Sequence, residues 1–163
     1  GILWDGPQQR GIETMADGER CRDAIDWLAG KMQEIDPEGI ESNRWRETEW
    51  CVSGPYDVNR MRTLLAESEW SDLRVVGTGF AIHVTEIGVN KRSALEIQLS
   101  RRGIDPSRVL SCGDALNDVP MFNLTGYSLA VDGALDEVRN AADSVTQNKG
   151  PLGVIEMLEM LLR

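Results

Sequence analysis

Arg108-Val109-Leu110-Ser111-Cys112-Gly113-Asp114-Ala115-Leu116-Asn117-Asp118 is the stretch from which the rest of the chain is read. Its first half is a short, nearly continuous apolar run. Such a run fits a strand buried on both faces, as in parallel sheets. In an open α/β sheet, ligands bind beyond the carboxyl ends of the strands. Asp114 and Asp118 therefore place two hard oxygen donors, four residues apart, where a ligand would sit. Mg2+ prefers one or two carboxylates completed by water and phosphate oxygens. Asn117 could donate to a phosphate oxygen without adding negative charge, and Gly113 permits a sharp turn. Asp118 before Val119-Pro120 also reads as a helix N-cap with proline in the first turn. The apolar strand leading straight into the loop favours the cation reading.

Working outward, the pattern on both sides alternates between helix and strand. Asn90 to Arg102 reads as a helix, with Ala94, Leu95, Ile97 and Leu99 apolar and Gly103 placed for a left-handed cap. Lys91 lies in its first turn, where free N–H groups and the helix dipole already favour anions. A lysine there would add a point charge for phosphate, although such a residue is more often simply solvated. Beyond the loop, Pro120 starts a short helix and Tyr127–Val131 is an apolar strand. Leu135–Ala142 is a helix, Ser144–Thr146 a short strand and Val154–Leu162 a terminal helix. This order predicts a parallel α/β sheet.

The first half of the chain reads differently. Residues 1–5 form an apolar run ended by Asp5-Gly6-Pro7. Residues 17–34 carry helical spacing through Cys21, Ala24, Ile25, Leu28 and Met32. Residues 44–52 alternate partly and are rich in Trp and Thr, which predicts a strand with one wet face. Residues 57–68 read as a helix, and Leu73–Val76 with Phe80–Thr85 as a hairpin around Gly77-Thr78-Gly79. The economical packing is helices on one face of a mostly antiparallel sheet. We expect an α+β domain at 1–86 and an α/β domain at 87–163.

These residues in this order resemble the haloacid dehalogenase superfamily of phosphatases. The resemblance rests on Gly88-Val89-Asn90-Lys91, Ala94-Leu95, Gly103-Ile104-Asp105-Pro106, Gly113-Asp114, Asn117-Asp118 and Met121-Phe122. It continues through Ala141-Ala142-Asp143-Ser144-Val145-Thr146 and Gly153-Val154. Thr78-Gly79-Phe80-Ala81-Ile82-His83-Val84 is similar to the branch of archaeal-type phosphoglycolate phosphatases and the sucrose-phosphate-phosphatase-like group. The resemblance implies that 1–86 is a substrate-selecting cap and 87–163 the C-terminal half of the core. It implies that Asp114 and Asp118 hold Mg2+, that Lys91 contacts the substrate phosphate, and that Asn117 supports the phosphate or the loop. The substrate would be a small phosphorylated metabolite.

Two departures accompany the resemblance: Arg92 follows Lys91 where the family has glycine, and Gly133-Ala134 stands where it has Asn-Ala. The family's chemistry also starts from an Asp-x-Asp whose first carboxylate attacks phosphorus and whose second is the general acid/base. No Asp-x-Asp occurs in these 163 residues. Leu3-Trp4-Asp5-Gly6 is the nearest match, with Leu3 where the nucleophile is needed, and reads better as a first cap strand. The chain therefore reads as truncated, with no catalytic nucleophile and weak or no hydrolysis by itself. The strand at 108–112 would then present an apolar edge, and such edges pair with other chains. A homo-oligomer, most simply a dimer, is expected. The alternatives are a non-catalytic, oligomerising binding or structural protein, and a weak Mg2+-dependent hydrolase in which water attacks directly.

Composition narrows the partners. The formal net charge of −10 argues against neutralising nucleic-acid phosphates and against an anionic membrane surface. No apolar run approaches the ~20 residues of a spanning helix. Cys21, Cys51 and Cys112 are widely spaced with no CxxC, so neither a disulfide framework nor a zinc site is expected, and a reduced cytoplasmic setting fits best. Cys112 has no nearby base in the sequence and reads as a strand residue. His83, the one histidine, fits a structural strand role better than a ligand or pH-switch role. Trp4, Trp45, Trp50 and Trp70 read as packing residues before they read as a sugar-stacking platform.

Overall fold

The computed structural model describes residues 2–4, 12–78 and 81–162. The chain divides into two compact units, Gly1–Val89 and Asn90–Arg163. The fold is α/β, with antiparallel pairing in the first unit and a parallel sheet in the second.

In the first unit, β1 (Ile2–Trp4) pairs antiparallel with β2 (Ile12–Thr14) as a separate two-stranded sheet. The sequence pointed to β1 but not to β2, whose three residues are too few to show a period. The Asp5-Gly6-Pro7 turn lies outside the described residues. Helix α1 (Gly18–Lys31) starts where the Asp17 carboxylate accepts the Glu19 and Arg20 amides. That is the role an N-cap side chain serves, satisfying amides with no partner inside the helix. Asp57 caps α2 (Val58–Ala66) in the same way. The three-stranded sheet runs β3 (Glu49–Val52), β5 (Ile82–Glu86), β4 (Leu73–Gly77), antiparallel throughout. Cys21, Ile25, Leu28 and Met32 from α1 and Met61 and Leu65 from α2 pack onto Val52, Val75, Ile82 and Val84. Both helices thus cover one face of the sheet.

The strand expected at 44–52 is shorter than its pattern suggested. Glu41–Trp45 form a 3-10 turn, and only Glu49–Val52 are extended. The turn delivers the Asn43 side chain to the open edge of β3. There its Oδ1 accepts the Cys51 amide at 3.1 Å and its Nδ2 donates to the Cys51 carbonyl at 2.8 Å. One buried amide side chain thus replaces two ladder bonds of a neighbouring strand, which local periodicity does not register. Gly39 makes room for this turn. Its φ is +68°, and an added Cβ would lie 2.0 Å from the Cys51 carbonyl oxygen. The two ends of the β4–β5 hairpin are described, whereas Gly79 and Phe80 lie outside the described residues.

In the second unit, α3 (Lys91–Arg102) opens on a reciprocal box. Asn90 Oδ1 accepts the Ser93 amide and Ser93 Oγ accepts the Asn90 amide, both at 3.1 Å. It closes at Gly103 with φ +63°. Parallel strands β6 (Leu110–Gly113), β7 (Tyr127–Asp132) and β8 (Ser144–Lys149) follow in that order, with β6 at an edge among the described residues. Between them lie α4 (Val119–Phe122) and α5 (Asp136–Ala141), and α6 (Gly150–Leu161) ends the unit. Phe122 of α4 and Val138 of α5 pack on Ala130. Gly153 of α6 approaches Val131, the next residue along β7. Successive strand residues point to opposite faces, so α6 covers one face and α4 and α5 the other. Asp143 ties the start of β7 to β8: its carboxylate accepts from the Ser128 amide and hydroxyl, both at 2.8 Å. Asp143 therefore has a structural role at the amino end of the sheet.

Candidate functional site

The parallel sheet brings the acidic loop to the carboxyl end of β6, and Asp118 is its pivot. Asp118 is 2% exposed. It occupies the N-cap position of α4, with Pro120 in the first turn, yet makes no capping bond to that helix. Instead its Oδ2 accepts from the Asp114 amide at 3.0 Å and the Ala115 amide at 3.1 Å. Its Oδ1 is ion-paired with Lys91 Nζ, whose side chain is half exposed. The cap reading of Asp118 and the charge-site reading thus separate cleanly: the position is that of a cap, but the carboxylate turns into the loop.

Gly113 is required by space rather than by backbone angle. It is not among the glycines with positive φ. A Cβ there would sit 2.4 Å from both Cβ and Cγ of Asp118. The sharp turn expected of it is therefore replaced by a close approach, which only a residue without a side chain allows. This was legible in sequence only as a glycine at a strand end.

Lys91, Gly113, Asp114 and Asp118 line one open cleft of about 570 Å³, walled on its apolar side by Val131 and by Gly150 and Pro151 at the start of α6. The last two escaped sequence reading, because nothing local links residues 150–151 to residues 113–118. Asp114 is exposed, with its carboxylate available at the rim. Asn117 is exposed on the same loop but is not part of the cleft wall. The structure thus brings together Lys91, Asp114 and Asp118 and leaves Asn117 outside their group. Arg92, the residue that departs from the family pattern, turns its guanidinium to the Asn123 carbonyl at 3.5 Å. Two carboxylates and one ammonium at a strand end can hold a hard cation and an anion side by side.

Cys112 also lines the cleft. Burial pushes its thiol pKa up, against a hydrogen bond from the Gly113 amide, and the negative charges of Asp118 and Asp114 add to the rise. A thiol held protonated is a poor nucleophile, in agreement with its reading as a strand residue. The tryptophans do not form one platform. Trp50 and Trp70 pack against the core of the first unit, Trp45 is 74% exposed, and the Trp4 side chain lies outside the described ones.

Known proteins resemble this chain over most of its length. The chain is 32% identical over 148 residues to a phosphoglycolate phosphatase of Archaeoglobus fulgidus, covering 91% of this chain and 63% of the relative. It is 39% identical over 115 residues to a phosphoglycolate phosphatase of Haloarcula marismortui, covering 71% and 49%. The chain therefore spans between about half and under two thirds of these relatives. Among solved structures, Thermoplasma acidophilum 0175 superposes with a TM-score of 0.79 at 21% identity, covering 94% of this chain and 66% of that one. The sucrose-phosphatase of Synechocystis sp. PCC6803 superposes with a TM-score of 0.67 at 16% identity, covering 85% and 61%. At such identities these two likenesses establish the fold. Residues 55–158 match the haloacid dehalogenase-like hydrolases, and the chain belongs to that family.

Proposed function

We propose that this chain carries the cap and the cation- and phosphate-holding part of a Mg2+-dependent phosphate monoester hydrolase of the phosphoglycolate-phosphatase type. The observation that carries this reading is the Asp118 carboxylate, buried and fixed by two loop amides with Lys91 beside it. Asp114 and Asp118 are the Mg2+ ligands, Lys91 holds the substrate phosphate, and Asn117 supports the loop from outside the cleft. A bound cation would neutralise phosphate charge as it develops. The chain's own part is to position that charge and to offer Lys91 to a phosphate oxygen. The relatives' names make a small phosphorylated carboxylic acid the preferred substrate class. The absence of Asp-x-Asp from these 163 residues makes hydrolysis by the chain alone weak or nil.

Calorimetric titration with Mg2+ and then inorganic phosphate tests the holding role. Binding of both, with loss of Mg2+ binding in Asp118→Asn, is expected, and a chain that binds neither overturns the reading. Turnover of p-nitrophenyl phosphate with Mg2+ tests the rest. Turnover abolished by Asp114→Ala would show that hydrolysis runs through the loop, and trapping of a covalent phosphoenzyme would then separate a nucleophile within these residues from direct attack by water. Turnover that survives Asp114→Ala marks a contaminant.

A second reading, a non-catalytic oligomer, draws on α6. Leu152, Leu158 and Leu161 of this helix are between 49% and 61% exposed, and Leu162 at its C-cap is 87% exposed. A helix apolar on most sides ordinarily lies buried. Sedimentation at micromolar concentration tests it, with a dimer or larger assembly expected and a soluble monomer counting against it. Among the described residues no helix is long and apolar enough to cross a membrane.

A further inference from the structure

A second cluster of ligating side chains lies in the first unit, independent of the loop and of the function proposed for it. Cys51 of β3 and His83 of β5 are register partners across the antiparallel pair. Glu49 precedes Cys51 by two residues and shares its face of the strand. This face is opposite the one that Val52, Ile82 and Val84 present to the helices. His83 Nδ1 lies 3.0 Å from Cys51 Sγ and 3.0 Å from Glu49 Oε2. One ligand atom from each of the three residues falls within 4.8 Å of the others, the one such group among the described residues.

We propose that Glu49, Cys51 and His83 form a Zn2+ site. Thiolate, imidazole and carboxylate are the three ligand types that Zn2+ accepts, and three protein ligands leave a fourth tetrahedral position for water or an anionic oxygen. The surroundings are arranged as outer partners of such a site. Thr78 Oγ donates to the Ala81 carbonyl at 3.0 Å, so it faces His83 Nε2, 3.4 Å away, with a lone pair. In the metal-bound form Nε2 would carry the hydrogen and Nδ1 would offer its lone pair, giving up its present pairing with Glu49 Oε2. A ligating histidine characteristically has its second nitrogen occupied in this manner. The Arg46 guanidinium pairs with Glu49 Oε1 and leaves Oε2 for the cluster. Binding replaces the Cys51 thiol proton, and any proton on Nδ1, with the metal; these protons leave to buffer. The alternative use of a Cys–His–Glu row, nucleophilic catalysis, does not fit, because Cys51 is fully buried. Burial also pushes its thiol pKa up to about 12.

Sequence spacing could not suggest this site. Cys51 and His83 are 32 residues apart, and only strand pairing joins them. Soft-ligand chemistry also separates it from the loop, whose two carboxylates suit a hard cation.

Co2+ added to the EDTA-stripped chain is the test. A near-ultraviolet thiolate-to-cobalt band with intense visible tetrahedral bands is expected, displaced by Zn2+ and indifferent to excess Mg2+. Cys112→Ser, beside the other cleft, should keep the band, and Cys51→Ser should lose it while its tryptophan fluorescence stays native. Thr78→Val retains all three ligands and should keep the band with roughly tenfold weaker Co2+ affinity. His83→Gln, at a partly exposed position, replaces Cys51→Ser as the decisive variant if the latter does not fold. Absence of the band in the wild-type chain, its survival in both Cys51→Ser and His83→Gln, or its loss in Cys112→Ser overturns the proposal.

Discussion

The two units treat their apolar side chains in opposite ways. In the first, Cys21, Ile25, Leu28, Met61, Val52 and Val84 are each fully buried, sealed between two helices and a sheet. In the second, Phe122, Ala130 and Val138 form a small buried cluster, with Leu99, Leu129 and Val131 also buried, while α6 leaves Leu152, Leu158 and Leu161 largely in solvent. The contrast teaches that apolar content and burial are separate quantities. The first unit closes its own core, whereas the second leaves apolar side chains of α6 open and gathers Lys91, Asp114 and Asp118 at one strand end.

The sharpest way to break this comparison is a pair of matched truncations. Leu28→Ala, in the sealed core, should cost about 2–5 kcal/mol. Leu158→Ala, 49% exposed, should change stability by no more than about 0.5 kcal/mol. All five tryptophans lie at or before position 70. Denaturation followed by their fluorescence therefore reports the first unit, and far-ultraviolet circular dichroism adds the second. If Leu158→Ala proves as costly as Leu28→Ala, α6 is buried against another chain and the contrast fails.

A smaller effect is expected where the second unit is tightly built. Gly113→Ala would force a methyl against Asp118 at 2.4 Å. Overpacking of this kind costs about 1–3 kcal/mol, and Mg2+ binding should be lost with it, as calorimetry would show. Unchanged Mg2+ affinity would mean that the Asp118 position is not what holds the cation.

Lys91→Ala should separate the two ligands of the loop. Lys91 competes with a cation for Asp118 Oδ1, so its removal should tighten Mg2+ binding several-fold while weakening binding of inorganic phosphate. The stability loss should be about 1 kcal/mol, because Lys91 is half exposed and Asp118 keeps its two amide donors. Parallel loss of both ligands would point to collapse of the loop instead.

How much of this was legible in sequence follows from the range of each interaction. The α/β order of residues 90–162 could be read because each helix and strand there carries its own apolar period. Lys91, Asp114 and Asp118 could be read because a strand end, a loop and a helix start are local features. What escaped depends on contacts between distant residues. Asn43 ends the expected strand by bonding Cys51 across the turn. Pro151 reaches the cleft through the α6–sheet packing. His83 meets Cys51 and Glu49 only once β3 and β5 are in register. The role of Gly113 was visible as a residue type but misattributed as a mechanism, since sequence does not distinguish a turn from a close approach.

The smallest effect concerns how α6 is held despite its exposed apolar face. Glu156 on that helix accepts the Gln147 and Asn148 amides and the Asn148 side chain, at 2.9–3.1 Å. The Gln147 amide and the Asn148 side chain and amide hold its carboxyl below the ordinary value of 4.5. A depressed folded-state pKa contributes stability above the unfolded value, and that contribution disappears as pH falls through the folded value. The loss should therefore appear only below about pH 4.5. The Gln147 and Asn148 amide resonances should titrate together there. Glu156→Gln should flatten that limb while leaving the tryptophan signal of the first unit unchanged. If both units lose structure together in wild type and variant alike, α6 is held by its apolar contacts and not by this polar anchor.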